Sequence, residues 1–502
     1  MFLAPKSSAC AAALCFLSVA FCGLSIPLNG QQNRSPSVQT WLTLAEKDSR
    51  LTAKLVFNSQ AEEFFLAGNF RVPENPQESN GRHISLAFLL LPARSQKPLP
   101  DPVVFLHGGP GAGAVSARGN WIQSWVRERR HVLLVDQRGA GNSHPLKVAL
   151  PGSPRDLQSY LEPIFQKKIF SQALKDLSQK ADLRYYTTPV AMDDLEALRR
   201  ALDLGPLNLW GGSYGTRAAL VFMRRHPKSV RSAILDGVAP IAFTNPLFHA
   251  QSAQLGWDRL VQEVEGNPRY RRWYPDLDRK LDQILQRLQQ QPAPVALQMF
   301  GGPPQEVLLT REAFGEALRT LMYYTGTNRE VPKLVYRAWE GDYRAFAEAG
   351  IRRNRGLRNL LCFGMLMCVT AAEDLPRIRQ DQIEALCRNT FLGEGRVRQQ
   401  LAVGALWPQG PIPADYGDPV SVSVPTLIFS GTLDPVTPPE WGQEAARHLP
   451  RSLHVVLPGC HGVSNLPAAQ RMIRQFLAEA DIEHVDLNLA KQVSLPPLLP
   501  PE

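Results

Sequence analysis

The pattern of apolar and polar residues from position 81 onward alternates short hydrophobic runs with amphipathic stretches. Such alternation is typical of strands and helices that take turns in a mainly parallel sheet. The apolar runs predict strands over residues 84–91, 103–107, 131–136, 207–210, 232–236, 426–430 and 453–457. The amphipathic spacing predicts helices over residues 188–202, 218–225, 439–449 and 466–480. We therefore predict an α/β fold class, with helices on both faces of a mainly parallel sheet.

The alternation stops between residues 240 and 416, where the sequence is rich in Gln, Arg and Leu. This stretch predicts a large helical cap inserted into the sheet domain. The predicted organisation is a first part of the core over residues 31–239, the cap over 240–416, a second part of the core over 417–485 and a Pro-rich tail over 486–502.

The N-terminal segment has a composition of its own, with one cation at Lys6 and then an apolar run over residues 9–26. This pattern is typical of a secretory signal peptide, and we assign residues 1–30 to it. A retained membrane anchor is the competing interpretation, because the run approaches the length that crosses a bilayer. The single charge and the small residues at the end of the run favour removal. We therefore predict a secreted or periplasmic protein with no stable membrane span.

The composition narrows the class of protein but names no function. Hydrophobic residues make up 44% and charged residues 20% of the 502 residues, which excludes fibrous and collagen-like classes. The formal net charge of +9 is spread thinly along the chain, so we predict no nucleic-acid partner. No pattern in the cap marks a dimer surface, and the oligomeric state is left open.

Cysteine usage indicates neither a small disulfide scaffold nor a metal site. After loss of the signal the chain keeps four cysteines, which allow three pairings, namely Cys362, Cys368, Cys387 and Cys460. A chain of this length does not need disulfides in order to fold. The sequence contains no CxxC or HExxH motif, so we predict no metal site and no cofactor.

The strongest chemical signal is the run GGSYG over residues 211–215, between a predicted strand and a predicted helix. A serine in such a G-x-S-x-G turn is lifted to the carboxyl edge of the sheet, and the helix behind it favours developing negative charge. The glycines at both ends are needed where a β-carbon would crowd the neighbouring elements. Ser213 is therefore the candidate nucleophile.

A serine hydroxyl attacks well only if a base takes its proton and a carboxylate orients that base. Asp434 follows the strand TLIFS, and His461 follows the strand LHVVL, so both stand at carboxyl ends of strands. The chain order is serine, acid and histidine, which is the order expected after a G-x-S-x-G turn of this kind. The run HGGPG over residues 107–111 also follows a strand. An amide of this loop, together with that of Tyr214, is the candidate oxyanion hole.

Five motifs in this order resemble the prolyl aminopeptidase and tripeptidyl aminopeptidase family of serine peptidases, within the α/β-hydrolase superfamily. They are HGGPG at 107–111, DQRGAGNS at 136–143, GGSYGT at 211–216, SGTLDPVTP at 430–438 and HG at 461–462. The resemblance implies that Ser213 is the nucleophile, Asp434 the orienting acid and His461 the general base. It also implies that Gly109 and Tyr214 supply the oxyanion donors.

The resemblance further implies two supporting roles. Asp136, Arg138 and Gly139 match a loop that buttresses the site. The cap segment VTAAED at 369–374 is similar to a family segment whose glutamate faces the ammonium group of the substrate, which assigns Glu373 to substrate binding. Tripeptidyl members usually have a cysteine where this chain has Ala371. A solvated carboxylate is the competing interpretation of Glu373.

These observations predict an exported serine aminopeptidase that hydrolyses short peptides near their free N-terminus through an acyl-enzyme. A serine hydrolase of esters or small amides with the same triad is the alternative, because this fold hosts many substrates. A catalytically inactive binding module is disfavoured, because all three triad residues are present. The residue preference and the number of residues released at each cleavage stay open.

Overall fold

The structure is a computed structural model that describes residues 36–59 and 61–501, and the predicted signal segment lies outside the described residues. The strands are β1 (Leu51–Asn58), β2 (Glu63–Pro73), β3 (His83–Leu91), β4 (Val103–Leu106), β5 (Val132–Val135), β6 (Leu207–Gly212), β7 (Val230–Asp236), β8 (Ala293–Leu297), β9 (Gln305–Leu309), β10 (Thr426–Gly431) and β11 (Ser452–Leu457). All strands except β8 and β9 join one nine-stranded sheet.

The helices alternate with these strands in the core and follow one another in the cap. They are α1 (Pro36–Lys47), α2 (Arg118–Ile122), α3 (Lys167–Ser178), α4 (Thr188–Ala201), α5 (Tyr214–Arg225), α6 (His249–Gly266), α7 (Pro268–Trp273), α8 (Leu277–Gln290), α9 (Arg311–Leu321), α10 (Thr325–Asn328), α11 (Val331–Trp339), α12 (Arg344–Leu360), α13 (Phe363–Glu373), α14 (Gln380–Cys387), α15 (Gly395–Gly404), α16 (Pro439–Arg447) and α17 (Pro467–Glu479).

The sheet has the strand order β1-β2-β3-β5-β4-β6-β7-β10-β11. The first three pairings from the β1 edge are antiparallel, and the pairings from β5 through β4, β6, β7 and β10 to β11 are parallel. The predicted α/β class with a mainly parallel sheet is confirmed. Because parallel strands end at one edge, the segments after β4, β6, β7, β10 and β11 meet there.

Burial of the central strands follows from helices on both faces. Every residue of β5 and β10 is buried, as expected of strands covered on both sides. Neighbouring residues contribute to opposite cores: Leu209 belongs to one apolar cluster, whereas Trp210 belongs to the cluster on the other face. The continuous apolar runs in the sequence reflect this double burial.

The cap differs from the predicted all-helical segment at one point. β8 and β9 form an antiparallel two-stranded sheet between α8 and α9. Each strand has five residues, and alternate side chains are exposed, so the apolar signal is too short and too diluted to predict a strand. The prediction of helix alone was wrong for these residues. The cap has its own apolar core, which includes Trp257, Phe314 and Phe346.

The strands at the β1 edge precede residue 81, where the sequence pattern predicted no element. β1 is mostly half-buried or exposed, and β2 contains Gly68 and ends at Pro73, so the sequence pattern of neither is typical of a strand.

The tail also differs from the extended segment that its proline content suggests. Residues 487–492 form a 3₁₀ turn, and Leu498 is buried against the cap core.

Three further observations concern the cysteines, membrane crossing and metal binding. All four cysteines in the described residues, Cys362, Cys368, Cys387 and Cys460, are buried free thiols. Within residues 36–59 and 61–501, no helix combines the length and hydropathy that a membrane crossing requires. The same part of the chain holds no cluster of His, Cys, Asp and Glu side chains suited to a metal ion.

Candidate active site

Ser213 occupies a strained turn between β6 and α5. Its φ is 54° and its ψ is −125°, a region that L-residues rarely adopt. A β-carbon at Gly211 would lie 2.5 Å from the carbonyl oxygen of Gly215, and one at Gly215 would lie 1.9 Å from that of Leu106. Close packing of α5 against β4 and β6 therefore requires both glycines, and it places Ser213 at the carboxyl edge of the sheet.

Asp434 and His461 meet in the turns after β10 and β11. His461 Nδ1 lies 2.8 Å from Asp434 Oδ2. Asp434 is fully buried, and its Oδ1 accepts hydrogen bonds from the N–H groups of Val436 and Thr437. Burial alone would raise the pKa of Asp434, but the His461 charge and the hydrogen bonds hold it below its usual value. Asp434 is therefore the ionised partner that fixes the imidazole.

The cap contributes to the placement of His461. The His461 N–H donates to the carbonyl oxygen of Tyr323 at 3.1 Å, and the two rings pack with centroids 4.7 Å apart. A β-carbon on Gly237 would lie 2.9 Å from His461 Cε1. The imidazole is thus held between the residue after β7 and the loop after α9.

Asp236, at the end of β7, joins the Ser213 turn to the His461 loop. Its carbonyl oxygen accepts from the Ser213 N–H, and its carboxylate accepts from the N–H groups of Val463 and Ser464. Burial raises its pKa, against the lowering effect of those donors. Among the described residues, no hydrogen bond joins Ser213 Oγ to His461. The structure therefore brings the two loops to one edge through Asp236.

The sequence motifs assigned no role to Asp236, Tyr323 or Thr437. Asp236 ends the strand SAILD, so the signal used for Asp434, an acidic residue at the carboxyl end of a strand, could have found it. Thr437 Oγ1 donates to Asp434 Oδ2 at 3.0 Å. The residues around Thr437 in the sequence gave no indication of that role. Tyr323 belongs to the cap, and only the tertiary fold brings it to His461.

The candidate oxyanion loop passes directly over the serine. A β-carbon at Gly108 would lie 3.2 Å from Ser213 Cβ, so the backbone before Gly109 borders the nucleophile turn. Gly109 has a φ of 126°, which glycine adopts readily. Tyr214 is the first residue of α5, and its N–H is one of those that have no intrahelical partner. Gly108 thus borders Ser213 and Tyr214 follows it in the chain, and the assignment of the Gly109 and Tyr214 N–H groups as oxyanion donors stays a prediction.

The loop after β5 supports this edge through buried carboxylates. Asp136 accepts hydrogen bonds from the N–H groups of Val115 and Asn142 at 2.8 and 2.9 Å. Arg138 is fully buried and pairs with Asp194 through two hydrogen bonds at 2.6 and 2.9 Å. The loop thereby ties the segment after β4 and helix α4 to the sheet.

Glu373 lies at the end of α13 and has no exposed surface. Its Oε1 accepts from the Thr188 N–H at 2.6 Å, and its Oε2 accepts from the hydroxyls of Thr188 and Tyr416. Thr188 Oγ1 also contacts the Tyr214 hydroxyl at 2.7 Å. Burial raises the pKa of Glu373, partly offset by the Arg217 charge and these donors. Protein groups thus occupy both oxygens, and binding of a substrate ammonium group stays a prediction.

Comparison with known proteins gives a family and distant relatives. A family model described as the α/β-hydrolase fold matches residues 101–464. A proline iminopeptidase from Arabidopsis thaliana is 29% identical over 179 residues, which is 36% of this chain and 37% of that protein. One from Aeromonas sobria is 34% identical over 144 residues, which is 28% of this chain and 29% of that protein.

The alignments span about a third of the length of these curated relatives. A crystal structure of a proline iminopeptidase from Mycobacterium smegmatis is 16% identical, covers 83% of this chain and 98% of its own, and has a TM-score of 0.40. The similarity to proline iminopeptidases that the five motifs predicted is confirmed by the sequence relatives.

Proposed function

Because the chain belongs to the α/β-hydrolase fold family, we propose that it is a serine hydrolase whose nucleophile is Ser213. The observation that carries this proposal is the 2.8 Å contact of His461 Nδ1 with buried Asp434, at the sheet edge where Ser213 stands in its strained turn. The His461–Asp434 pair and the Ser213 turn at the same edge support a role for these three side chains, distant in sequence, in acyl transfer.

The proposed reaction proceeds through an acyl-enzyme. His461 takes the proton of the Ser213 hydroxyl as Oγ attacks the substrate carbonyl carbon, and Asp434 stabilises the resulting imidazolium. The N–H groups of Gly109 and Tyr214 hold the oxyanion. His461 then protonates the leaving group, the acyl-enzyme forms, and a water activated by His461 hydrolyses the ester to regenerate Ser213.

We propose short peptides with a free N-terminus as the substrates, and an aminopeptidase of prolyl or tripeptidyl type as the activity. The five motifs and the relatives named proline iminopeptidase support this assignment. One observation favours a second candidate, hydrolysis of esters or small amides. Protein donors engage the Glu373 carboxylate, so the group expected to select free amines has no free oxygen.

A substrate panel tests the activity and separates the two candidates. An aminopeptidase cleaves aminoacyl anilides such as the prolyl anilide, or tripeptidyl anilides, and leaves their N-acetyl analogues intact, whereas an esterase cleaves neutral esters with no dependence on a free amine. Mass spectrometry of the products from a defined peptide mixture then identifies the residues released. Absence of peptide cleavage together with rapid ester hydrolysis rejects the aminopeptidase proposal.

Covalent labelling tests the serine mechanism itself. A fluorophosphonate probe should label the wild-type chain at Ser213 and should not label Ser213→Ala. Substitution of His461 by Ala should slow labelling by about a thousandfold or more, since the serine then lacks its base. Ser178→Ala, at an exposed serine that ends α3, is a control that retains the Ser213 target. Equal labelling of wild type and Ser213→Ala rejects the assignment.

We also propose that the protein is exported, on the strength of the apolar N-terminal segment. Mass spectrometry of the mature N-terminus after expression with a secretion pathway tests this proposal. A mature chain that starts between residues 26 and 31 supports export, and a chain that retains Lys6 contradicts it.

A further inference from the structure

A cluster of charged side chains lies in the cap, and we call it the guanidinium cluster: Arg319, Arg353, Arg396 and Glu316. Arg353 Nη1 lies 2.9 Å from Glu316 Oε2, Arg396 Nη1 lies 3.4 Å from Glu316 Oε1, and Arg319 Nη1 lies 3.9 Å from Glu316 Oε2. These residues belong to α9, α12 and α15. The exposed fraction of their side chains ranges from 5% for Arg319 to 25% for Glu316, so water screens the charges only in part.

The cluster carries more positive than negative charge. Burial would raise the pKa of Glu316, but the charges of the three arginines lower it to about 2. Burial lowers the pKa of Arg319 to about 9, which still leaves it protonated at neutral pH. Three guanidinium groups therefore face one carboxylate, and two positive charges stay uncompensated within the cluster. Charge-assisted hydrogen bonds from these guanidinium groups would favour an anionic ligand over a neutral one of the same shape.

Several buried polar atoms at the cluster have no hydrogen-bond partner among the described residues. Arg319 Nε, Arg396 Nε and Asn354 Oδ1 are buried and unpaired. His249 Nδ1 is unpaired as well, and burial together with the neighbouring arginines keeps the pKa of His249 well below its usual value. Unpaired buried donors are rare in folded proteins because each costs free energy. The unpaired Nε–H groups show that acceptors within the described residues leave part of the donor capacity of the cluster unused.

A cavity of about 300 Å³ opens beside the cluster. Arg353, Arg396 and Glu316 line it together with Asn354 and the apolar side chain of Phe165. Two carboxylates, Glu162 and Glu312, stand at its exposed rim. A volume of this size holds a short segment of extended peptide. Its wall offers the charged donors of Arg353 and Arg396 for a carboxylate.

Two contacts connect this cavity to the catalytic edge. Arg319 and Tyr323 are separated by one helical turn of chain, and Tyr323 packs on His461. On the other side, Phe165 packs against Phe363, and the neighbouring Cys362 N–H donates to the carbonyl oxygen of Gly111 in the candidate oxyanion loop. Phe165 therefore links the cavity to the segment that holds the HGGPG loop, and Arg319, which belongs to the guanidinium cluster but does not line the cavity, lies four residues before the tyrosine that packs on His461.

We propose that this cavity is a subsite for a carboxylate group of the substrate, bound by Arg396 and Arg353 with Arg319 adding positive charge. The inference rests on the proposed function, since it supplies the far end of a peptide whose scissile bond lies at Ser213. The carboxylate comes from the free C-terminus of a short peptide or from an acidic side chain. In either case the subsite selects short or acidic peptides over long neutral ones.

Competitive inhibition of neutral ester hydrolysis tests the proposal without requiring peptide cleavage. The first pair of inhibitors is Ala-Ala-Ala as free acid and as C-terminal amide, and the second pair is the amides of Ala-Ala-Asp and Ala-Ala-Asn. We expect the acid member of at least one pair to inhibit about tenfold more strongly, because it adds charge-assisted hydrogen bonds. The pair that shows the difference identifies the source of the carboxylate.

Substitution of one arginine should remove this preference. In Arg396→Gln the acid and its amide should inhibit within about threefold of each other, and Arg396→Lys should retain part of the difference. The matched control is Arg398→Gln on the same helix, whose side chain is 46% exposed and pairs with Glu394. It should behave as the wild type. If Arg396→Gln does not fold, the proposal is tested by comparing inhibition by the acid and amide peptides in Arg396→Lys and in the wild type.

The outcomes distinguish this inference from the proposed function. If the protein hydrolyses esters but no peptide, the aminopeptidase proposal fails, and the preference for acids remains measurable. If it hydrolyses neither, calorimetric titration of the same peptide pairs into the full chain measures the preference directly. Equal inhibition or binding by acid and amide in the wild type overturns the subsite. An equal loss for acid and amide in Arg396→Gln also overturns it, because it shows a structural role alone.

Discussion

The carbonyl oxygen of Asp236 accepts a hydrogen bond from the N–H of Ser213 at 2.9 Å, so the last residue of β7 fixes the turn that carries the nucleophile. The carboxylate of the same residue accepts from two N–H groups of the segment that follows His461, each at 3.0 Å. One buried residue thereby links the Ser213 turn, through its main chain, to the His461 loop, through its carboxylate.

Asp236→Asn should lower turnover and stability together. The asparagine retains one acceptor but presents an NH₂ group to the second N–H, which costs about 1–3 kcal/mol of unfolding free energy. We expect kcat for a neutral ester to fall with little change in KM, because Asp236 positions catalytic groups and does not contact the substrate. Urea unfolding and steady-state kinetics measure both effects. Asp381→Asn, at an exposed carboxylate, is the control, and unchanged kcat in Asp236→Asn would contradict the positioning role.

Gly215→Ala should be far more damaging than Gly212→Ala, although both flank Ser213 closely. A methyl group at 215 would overlap the Leu106 carbonyl, whereas no atom beyond its chain neighbours lies within 4 Å of a β-carbon at 212. We expect a loss of about 1–3 kcal/mol and much slower fluorophosphonate labelling for Gly215→Ala. Gly212→Ala should stay within about 0.5 kcal/mol of the wild type. Similar unfolding midpoints for the two variants would show that the close approach of α5 to β4 is wrong.

Glu373→Ala should destabilise the fold, because it leaves the Thr188 N–H and two hydroxyls without an acceptor inside the protein. The expected loss is about 3 kcal/mol, and Glu373→Gln should lose less because one carbonyl oxygen remains. Thermal and urea unfolding measure the difference between the variants.

Kinetics of Glu373→Gln test the predicted contact with a substrate ammonium group. A role in substrate binding raises KM for free-amine peptides far more than KM for a neutral ester. An equal change for both substrates would remove that role and leave Glu373 as a support for Thr188 and, through it, for Tyr214.

The unfolding free energy should fall between pH 6.5 and pH 4 because of His131. Burial, together with the Arg127 charge, lowers the pKa of His131 to about 4, and its Nδ1 accepts from the Ala93 N–H. His131 binds a proton near pH 6.5 in the unfolded chain, but only near pH 4 in the folded protein. The stability present above pH 6.5 is therefore lost as the pH falls, by about 3 kcal/mol in total.

His131→Gln should flatten this dependence, since glutamine can accept the hydrogen bond and does not titrate. Guanidinium unfolding at pH 7 and pH 4.5 gives the slope for each variant. His484→Gln removes a histidine whose side chain is 57% exposed, and it should keep the wild-type slope. Identical slopes for wild type and His131→Gln would exclude His131 as the acid-sensitive group.

The sequence predicted the parallel strands well because each carries a continuous apolar run. Thr426–Gly431 and Val132–Val135 are buried on both faces, and their hydrophobicity needs no knowledge of their neighbours. The hairpin of Ala293–Leu297 and Gln305–Leu309 was missed because one face of each strand meets solvent and the strands are short. The local sequence pattern thus predicts a strand that is buried on both faces. It fails for a short strand whose formation depends on pairing with a neighbouring strand.

The candidate site shows the same division. The positions of Ser213, Asp434 and His461 after strands of the sheet could be predicted because the strand before each has a clear signal and the glycines around Ser213 are sterically required. The surroundings of Glu373 could not be predicted, since they depend on Thr188 and Tyr416, which only the tertiary fold brings to it. Tyr323 likewise reaches His461 only through the fold of the cap.

The cap is inserted between the two parts of the sheet in chain order, and this has a consequence for biosynthesis. When the ribosome has completed α15, Ser213 has already been synthesised, whereas β10 and β11 have not. The nascent protein then carries a serine without its base, so the proposed hydrolytic activity begins only when β11 docks beside β10. The order of the segments delays activity until translation of the second part of the core.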